Sequence, residues 1–520
     1  MAFASLIQNS FLGSRKILPR LSPYHYVCLL FVIGICFRIV YWFYYGMHSV
    51  TFPENDSSYY FALSEHFIDY VYHAHTKPIG SHLRDFISLT YFGNITLGNF
   101  ILTSVSSVIS SVMIYLLLKT LRLGNGTAFF SGLLFSLGII GWEYWRTASH
   151  FDHLNVFLFT MMIWTMGLHL KKSTLITAAM LSVSGGLLVL FHSMAVILVP
   201  IICIASQRFS RRFRNLLLLT IVSLAIPLIL ISFTVGKNYY QFEILGTSSV
   251  MGQNMLQYAS LGKLEQLEGL IDAGSYPEWW EWCFRNGSSV INGRPLSDAI
   301  YGKCIYKDRG IPIAGYDFTG LEKYLNEKKE MELLKTIEQD RSDVISKPWL
   351  FTGGIWESST RFSIEYGKIS SLVWWDWIRQ RPVEFFGRFV GSSVRFGSGV
   401  LFLGTDIYEP QLMPRHIVAR ITGLAFAPVL AVGFISSLYL PVSVICKYFR
   451  TNSARNYVSP IYWRDYFLVL MVCNFWLIMI MTNMLTCCEN SRMFMNVIVL
   501  PYILGIVFLQ KGLNLLRGSV

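Results

Sequence analysis

The sequence predicts an all-α, polytopic membrane protein: about ten transmembrane helices, with an α-rich extracytoplasmic segment set among them. Three observations predict it. The 520 residues are 53% hydrophobic and only 14% charged, against about 25% charge in a soluble domain. Several runs of about 18–22 residues are almost free of charge, the length at which an apolar helix crosses a bilayer. Lys and Arg gather in the short loops between those runs, as they do on the cytoplasmic side of membrane proteins. Backbone groups in lipid must be satisfied within the segment, which makes the runs helices. A transmembrane β-barrel would instead show alternating segments of about 10 residues.

The spans fall at 26–46, 98–118, 127–142, 152–169, 174–190, 192–206, 214–234, 416–446, 466–485 and 493–511. The first follows Arg15, Lys16 and Arg20 and has no small-residue cleavage site. It therefore reads as a retained span and not as a signal peptide. The 416–446 run is long enough to tilt or to continue past the lipid. Threading ten spans puts Arg15 to Arg20, Lys119 with Arg122, Lys171–Lys172, Arg208 to Arg214 and Lys447 to Arg464 on one side. That side is then the cytoplasm, and it holds both termini. The other side receives the loop after the first span, a short loop at 143–152 and a long polar segment. The chain thus divides into an N-terminal transmembrane module with outer loops (1–234), an extracytoplasmic segment (235–415) and a C-terminal transmembrane module (416–520). The formal charge of +12 lies in short cytoplasmic loops. This argues for a lipid bilayer as partner and against nucleic acid.

Of nine cysteines, Cys28, Cys36, Cys203, Cys446 and Cys473 sit within or beside apolar runs and are expected to be buried thiols. Cys283 and Cys304 lie in the polar segment and could pair if that side is oxidising. Cys487–Cys488 are adjacent and no CxxC occurs, so metal-ligand spacing is absent. Trp279, Trp280, Trp282, Trp374, Trp375 and Trp377 also lie in the polar segment. They suit an interfacial belt or a platform for a sugar ring. The charged stretch from Leu321 to Asp340 reads as a solvated helix face.

Residues able to do chemistry concentrate on the outer side. The first outer loop opens with Glu54-Asn55-Asp56, and Tyr60 and Ser64 follow one helical turn apart. A carboxylate at the membrane–water boundary is partly desolvated, which raises its pKa and suits it to accept a proton. On spacing alone, a solvated loop acid is the plainer reading. The second outer loop carries Glu143, Arg146, His150, Asp152 and His153. Asp152 begins a span and is a good cap. With His150 and His153 it also offers ligands to a divalent cation, in a geometry that sequence does not fix. From Lys237 and Asn238 through Ser249 to Asn254 the chain is dense in hydroxyls, amides and glycine. Such a stretch can present backbone N–H groups to a phosphate, and a connecting loop would look the same. Glu489 and Arg492 precede Pro501 in the last span. An arginine there can hold a lipid phosphate by paired hydrogen bonds or snorkel to a headgroup.

In this order the motifs resemble those of the GT-C glycosyltransferases, nearest the protein O-mannosyltransferase and lipid A aminoarabinose-transferase branch. Asp56 with Tyr60, Ala62 and Leu63 is similar to the branch's Asp before a Tyr-Ala-Leu-like helix. Asp152 is similar to its second acidic residue at the head of a later span. Lys237-Asn238-Tyr239, ending at Gly252-Gln253-Asn254, resembles the bacterial Arg-Asn-aromatic element that ends Gly-x-Asn. Ile378 to Phe386 resembles the helix that follows in many members. Arg492 with Pro501 resembles the Arg-Tyr, then Pro, signature of the last conserved span. Three positions depart from the pattern. Met493 stands where the Tyr would be, Glu54-Asn55-Asp56 replaces the mannosyltransferases' Asp-Glu pair, and His192-Ser193 replaces a frequent bacterial Thr-Arg. These departures bear on the sugar and the acceptor more than on the reaction class.

The resemblance implies a GT-C-like bundle and a donor sugar on a polyprenyl phosphate. The sugar would pass to an acceptor on the extracytoplasmic side, with inversion at the anomeric carbon. Asp56 would act as general base and Arg492 would stabilise the phosphate leaving group. Asp152 would orient the acceptor or join a metal site. Arg84 and Lys237 would help hold the donor, and Glu54, Tyr60, His150, Asn238, Ser249, Asn254 and Glu489 would line the substrate site. A lipid-linked donor needs a membrane groove and no nucleotide fold, and the chain has neither GxGxxG nor a P-loop.

The competing expectation is a transporter or flippase of a lipid-linked or small polar substrate. Transporters place ionisable residues at mid-membrane and pair broken helices in two related halves. Here polar residues concentrate in outer loops, His192 is the one intramembrane candidate, and no repeated half is visible. The elements at Lys237 and Ile378 match bacterial forms best, which favours a bacterial inner membrane. The outer-side sequons Asn94-Ile95-Thr96 and Asn286-Gly287-Ser288 make the endoplasmic reticulum the alternative.

Overall fold

The computed structural model describes residues 22–44, 63–73, 79–139, 152–192, 194–207, 213–245, 269, 276–287, 319–346, 361–398, 426–440, 462–485 and 497–516. Among the described residues there is no strand. In chain order the helices are α1 (Pro23–Tyr44), α2 (Phe67–His73), α3 (Ile79–Phe92), α4 (Ile95–Thr120), α5 (Asn125–Gly138), α6 (Asp152–Lys171), α7 (Leu175–Phe191), α8 (Ala195–Ala205) and α9 (Phe213–Phe242). They continue with α10 (Glu278–Gly287), α11 (Thr319–Lys328), α12 (Met331–Ser346), α13 (Arg361–Gln380), α14 (Pro382–Ser398), α15 (Phe426–Leu440), α16 (Tyr462–Leu485) and α17 (Val499–Leu516).

Five helices are long and apolar enough to cross a bilayer: Pro23–Val40 in α1, Leu97–Thr120 in α4, Leu154–Lys171 in α6, Asn215–Phe242 in α9 and Trp463–Met481 in α16. The protein is a multi-pass α-helical membrane protein. A helix occupies every stretch that the sequence marks as a span, but not every one is long enough. α5 has 14 residues and α8 has 11, fewer than the roughly 20 of a straight crossing. α9 continues to Phe242, so Lys237 and Asn238 belong to a helix and not to a connecting loop.

The bundle forms around α4, α6, α7 and α9. α1 and α5 lie against α4, α8 lies against α7 and α9, and α16 and α17 pack on α6. Tyr115, Phe135, Met162, Ile163, Phe426, Phe475 and Tyr502 share one buried core. Tyr502 ties its parts together: its ring stacks on Phe426 at 4.8 Å between centroids, and its hydroxyl donates to the Ser131 carbonyl at 2.6 Å. α15 and α17 approach closely through glycine. A Cβ on Gly433 would fall on the Pro501 carbonyl, and one on Gly505 on the Val429 carbonyl. α1 and α9 leave much of their apolar surface uncovered, including Phe31, Val32 and Val40 and Ile221, Ile229 and Phe233. Lipid-facing helices look like this, because lipid is as apolar as a core.

That surface corrects the expectation for the cysteines. Cys203 is buried, whereas Cys28, Cys36 and Cys473 are exposed free thiols on span helices. An apolar run in a membrane protein can face lipid as readily as core. Cys304, Cys446, Cys487 and Cys488 lie outside the described residues, as does the side chain of Cys283.

The helix ends sort into two sets. One set carries Lys119, Arg122, Lys171, Lys172 and Lys511. It is joined by Thr127 to Gln510 (3.1 Å), by Tyr466 to the Ala205 carbonyl (2.6 Å) and by His169 to Gln207 (3.2 Å). This is the basic end. At the opposite, distal end, Phe191 packs on Gly80 and Phe426 packs on Gly138. The two sets match the alternating threading expected from the positions of Lys and Arg.

The polar segment supplies a small helical body, α10 to α14. Trp279, Trp280, Trp374 and Trp377 are buried in it beside Tyr366. These four form a core, so they are neither a membrane belt nor an open sugar platform. Trp282 stacks on Tyr324 at 5.0 Å, and Trp375 remains half exposed. The charged stretch 321–340 is helical and exposed over α11 and α12, with Leu325, Leu334 and Ile337 turned inward.

Candidate functional site

The distal end holds a cluster of buried polar and charged groups on α2, α3, α4 and α9. α3 presents Ser81, His82, Arg84, Asp85 and Ser88 as buried residues. Two glycines allow it to lie so close. A Cβ at Gly80 would meet the Phe191 ring of α7, and one at Gly98 of α4 would meet Ser88. α2 rests on α3 through Phe67 stacked on Phe86 at 4.2 Å and Tyr70 edge-on to His82 at 4.9 Å.

Asp85 Oδ1 is the hub of the cluster. It accepts from Arg84 Nε at 2.9 Å, Arg84 Nη2 at 2.7 Å and Asn99 Nδ2 at 2.9 Å. Ser88 Oγ donates to Asn99 Oδ1 at 2.7 Å and thereby orients that amide. Burial, and then the negative charge of Asp85, push the Tyr70 phenol up from its ordinary pKa. The Tyr70 hydroxyl therefore stays protonated at neutral pH.

Lys237 enters from α9. Its side chain is buried, and Nζ donates to the Val71 carbonyl of α2 at 3.1 Å. Asn238, next along α9, is fully buried. Two cations far apart in sequence, Arg84 on α3 and Lys237 on α9, thus stand on helices that each meet α2 at one end of the bundle. Burying a charge is costly unless it is paired or hydrogen-bonded, and both are. Chemically, the arrangement can present guanidinium and ammonium donors to an anion at the distal end.

Of the residues expected from sequence, Arg84, Lys237 and Asn238 are thus brought to this end. Asp152 is the first residue of α6, which agrees with its expected place at the head of a span, although its side chain and that of His153 are not described. Glu54, Asp56, Tyr60, His150, Ser249, Asn254, Glu489 and Arg492 lie outside the described residues. Among the described residues no group of three or more His, Cys, Asp or Glu could hold a metal ion.

Sequence reasoning missed Asp85, His82, Ser88 and Asn99, and it missed Arg38. Arg38 lies in α1 with 1% of its surface exposed. Its Nη1 donates to Gly34 O at 3.1 Å and Ser136 Oγ at 2.9 Å, and its Nη2 to Ser107 Oγ at 2.6 Å and Ser136 O at 3.3 Å. It pins α1, α4 and α5 together from within a span. His192, the intramembrane candidate from sequence, instead caps α7, and its Nδ1 accepts from the Met194 amide at 3.2 Å. Compared with known proteins, the chain matches no protein-family model, no curated protein and no solved structure.

Proposed function

We propose that the protein is a GT-C-type membrane glycosyltransferase with about ten spans. It moves a sugar from a polyprenyl-phosphate donor to an acceptor at the outer face of a bacterial inner membrane. The basic end is then cytoplasmic and the distal end extracytoplasmic. The single observation that carries this reading is the placing of two buried cations at the distal end, Arg84 paired with Asp85 on α3 and Lys237 bonded to α2, the helix that rests on α3. There the donor's phosphate would lie while its isoprenoid stays in lipid.

In this mechanism Asp56 takes the proton from the acceptor's nucleophile. The acceptor attacks the anomeric carbon, the bond from that carbon to the phosphate oxygen breaks, and polyprenyl phosphate leaves with the electron pair. Arg492 stabilises the charge that develops on the phosphate, and Arg84 and Lys237 hold the phosphate before and after transfer. Asp152 orients the acceptor. The test uses purified protein in proteoliposomes supplied with a radiolabelled lipid-linked sugar. Asp56→Asn should lower the transfer rate by about 10²–10⁴-fold, the usual contribution of a general base. Full transfer by that variant would remove the base from the mechanism. Lys237→Met should raise the donor KM with little change in kcat, as loss of a contact held equally in the ground and transition states does.

Arg38 favours a second reading, a transporter or flippase. An ionisable residue inside a span is a functional-site candidate by default, and the sequence alone had placed polar residues mainly in loops. Purified protein in detergent separates the two. An enzyme depletes the lipid-linked sugar there, whereas a transporter has nothing to move.

A further inference from the structure

α13 and α14 carry an apolar face that the body they belong to does not use. On α13, Trp374 and Trp377 point into the buried core, together with Tyr366 and Val373. On the opposite side of the same helix stand Lys368, Leu372, Trp375 and Arg379, spaced as one stripe at about 100° per residue. Leu372 is 54% exposed and Trp375 47%. On α14, Phe385 meets Trp374 at 6.3 Å and Trp377 at 6.0 Å, while Arg388 lies 4.9 Å over the Trp377 ring. Those residues account for one face. Val383, Phe386 and Val390 make another, also a single stripe, with exposures of 85%, 64% and 44%. A helix that is apolar beyond its packed face belongs against a second apolar medium.

We propose that the α13–α14 face lies on the lipid bilayer itself, as an interfacial pair of helices beside the spans. Three features commit it to lipid. α14 packs against α16, a span helix, so the body is tied to the membrane bundle. A half-exposed Trp375 amid aliphatic residues matches the chemistry of the headgroup boundary, where an amphipathic ring sits at the edge of the hydrocarbon. Cations border the aliphatic stripe, namely Lys368, paired with Glu365 at 2.7 Å, and Arg379, 3.7 Å from Asp376. Long cationic side chains at that depth reach lipid phosphates while their stems cover apolar surface. The body made by α10 to α14 is therefore not a free-standing polar domain. It is held at the membrane surface by its own apolar edge.

The test places a photocrosslinker on the face in the full-length protein. Phe386→p-benzoylphenylalanine and, on the exposed polar helix α12, Lys335→p-benzoylphenylalanine are reconstituted into vesicles of phosphatidylethanolamine and radiolabelled phosphatidylglycerol. The lipid adduct at position 386 should exceed that at 335 severalfold. In the same vesicles, adding Lys368→Gln with Arg379→Gln should reduce the adduct with the anionic lipid at 386. An adduct no greater at 386 than at 335 would overturn the proposal. So would a cross-link at 386 to a second copy of the chain in place of lipid.

Discussion

Asp85 takes three donors on one oxygen, two of them from its neighbour Arg84. A buried pair is weak evidence for stability as such, but breaking one side of it leaves an uncompensated charge. Asp85→Asn keeps the shape and loses the charge. It should cost about 3–5 kcal/mol, seen as a fall in Tm in detergent. Arg84→Lys keeps the charge and loses the planar fork, so it should cost only part of that amount. Equal Tm for Asp85→Asn and the native chain would mean that the pair is solvated in the membrane. Arg38 is a different case, because the four acceptors named above are serine hydroxyls and backbone carbonyls. Serines on these helices can turn back to their own backbone, as Ser110 and Ser111 do. Arg38→Met should therefore destabilise by only about 1–3 kcal/mol, the cost of unsatisfied polar partners, and leave the donor KM unchanged. A raised KM, or loss of substrate uptake, would move Arg38 from a helix pin to the functional site.

Among the elements, the five long membrane helices were legible because a run of apolar side chains long enough for lipid leaves few alternatives. α3 was not. Its buried face is made of Ser81, His82, Asp85 and Ser88, so a search for hydrophobic periodicity passes over it and reports a loop. The same blindness hid Arg38, whose partners are small hydroxyl residues on two other helices. The tryptophans erred in the other direction. Composition suggested a surface role, while their pairing with Tyr276, Tyr366 and Phe385 makes most of them core. That core carries its own titration. Tyr276 donates to Asp376 at 3.0 Å, and burial, the hydrogen bond and the carboxylate charge all raise its pKa. The sign follows from linkage. An unfolded tyrosine ionises near pH 10, whereas the folded one still holds its proton there. This contribution is therefore whole below about pH 10 and is lost as pH rises through the folded value. Thermal unfolding followed at about pH 9 and about pH 11 should show a smaller alkaline drop for Tyr276→Phe, which keeps the ring against Trp280. An unchanged drop would assign the alkaline lability to other tyrosines.

For the molecule as a whole, the alternation of helix ends was legible from the placement of Lys and Arg, and the contacts at the basic end agree with it. Contacts as close as that between α15 and α17 cannot be read from a sequence, because many glycines serve no such purpose. Gly433 and Gly505 do, since each faces a carbonyl of the other helix where a Cβ would stand. Gly512, on the same α17, has open space at its Cβ position. Close backbone approach of this kind is how helices associate in lipid, where the hydrophobic effect no longer drives them together. The two α17 substitutions should therefore have opposite signs. Gly505→Ala forces the helices apart and should cost about 1–3 kcal/mol or more, as overpacking does. Gly512→Ala removes only the flexibility of an uncrowded helix position and should stabilise by about 0.5–1 kcal/mol. Thermal unfolding of both variants in one detergent reads the difference directly. If both shift Tm the same way, the carbonyl contact does not hold α15 to α17, and the C-terminal helices must be joined through Tyr502 and its aromatic neighbours instead.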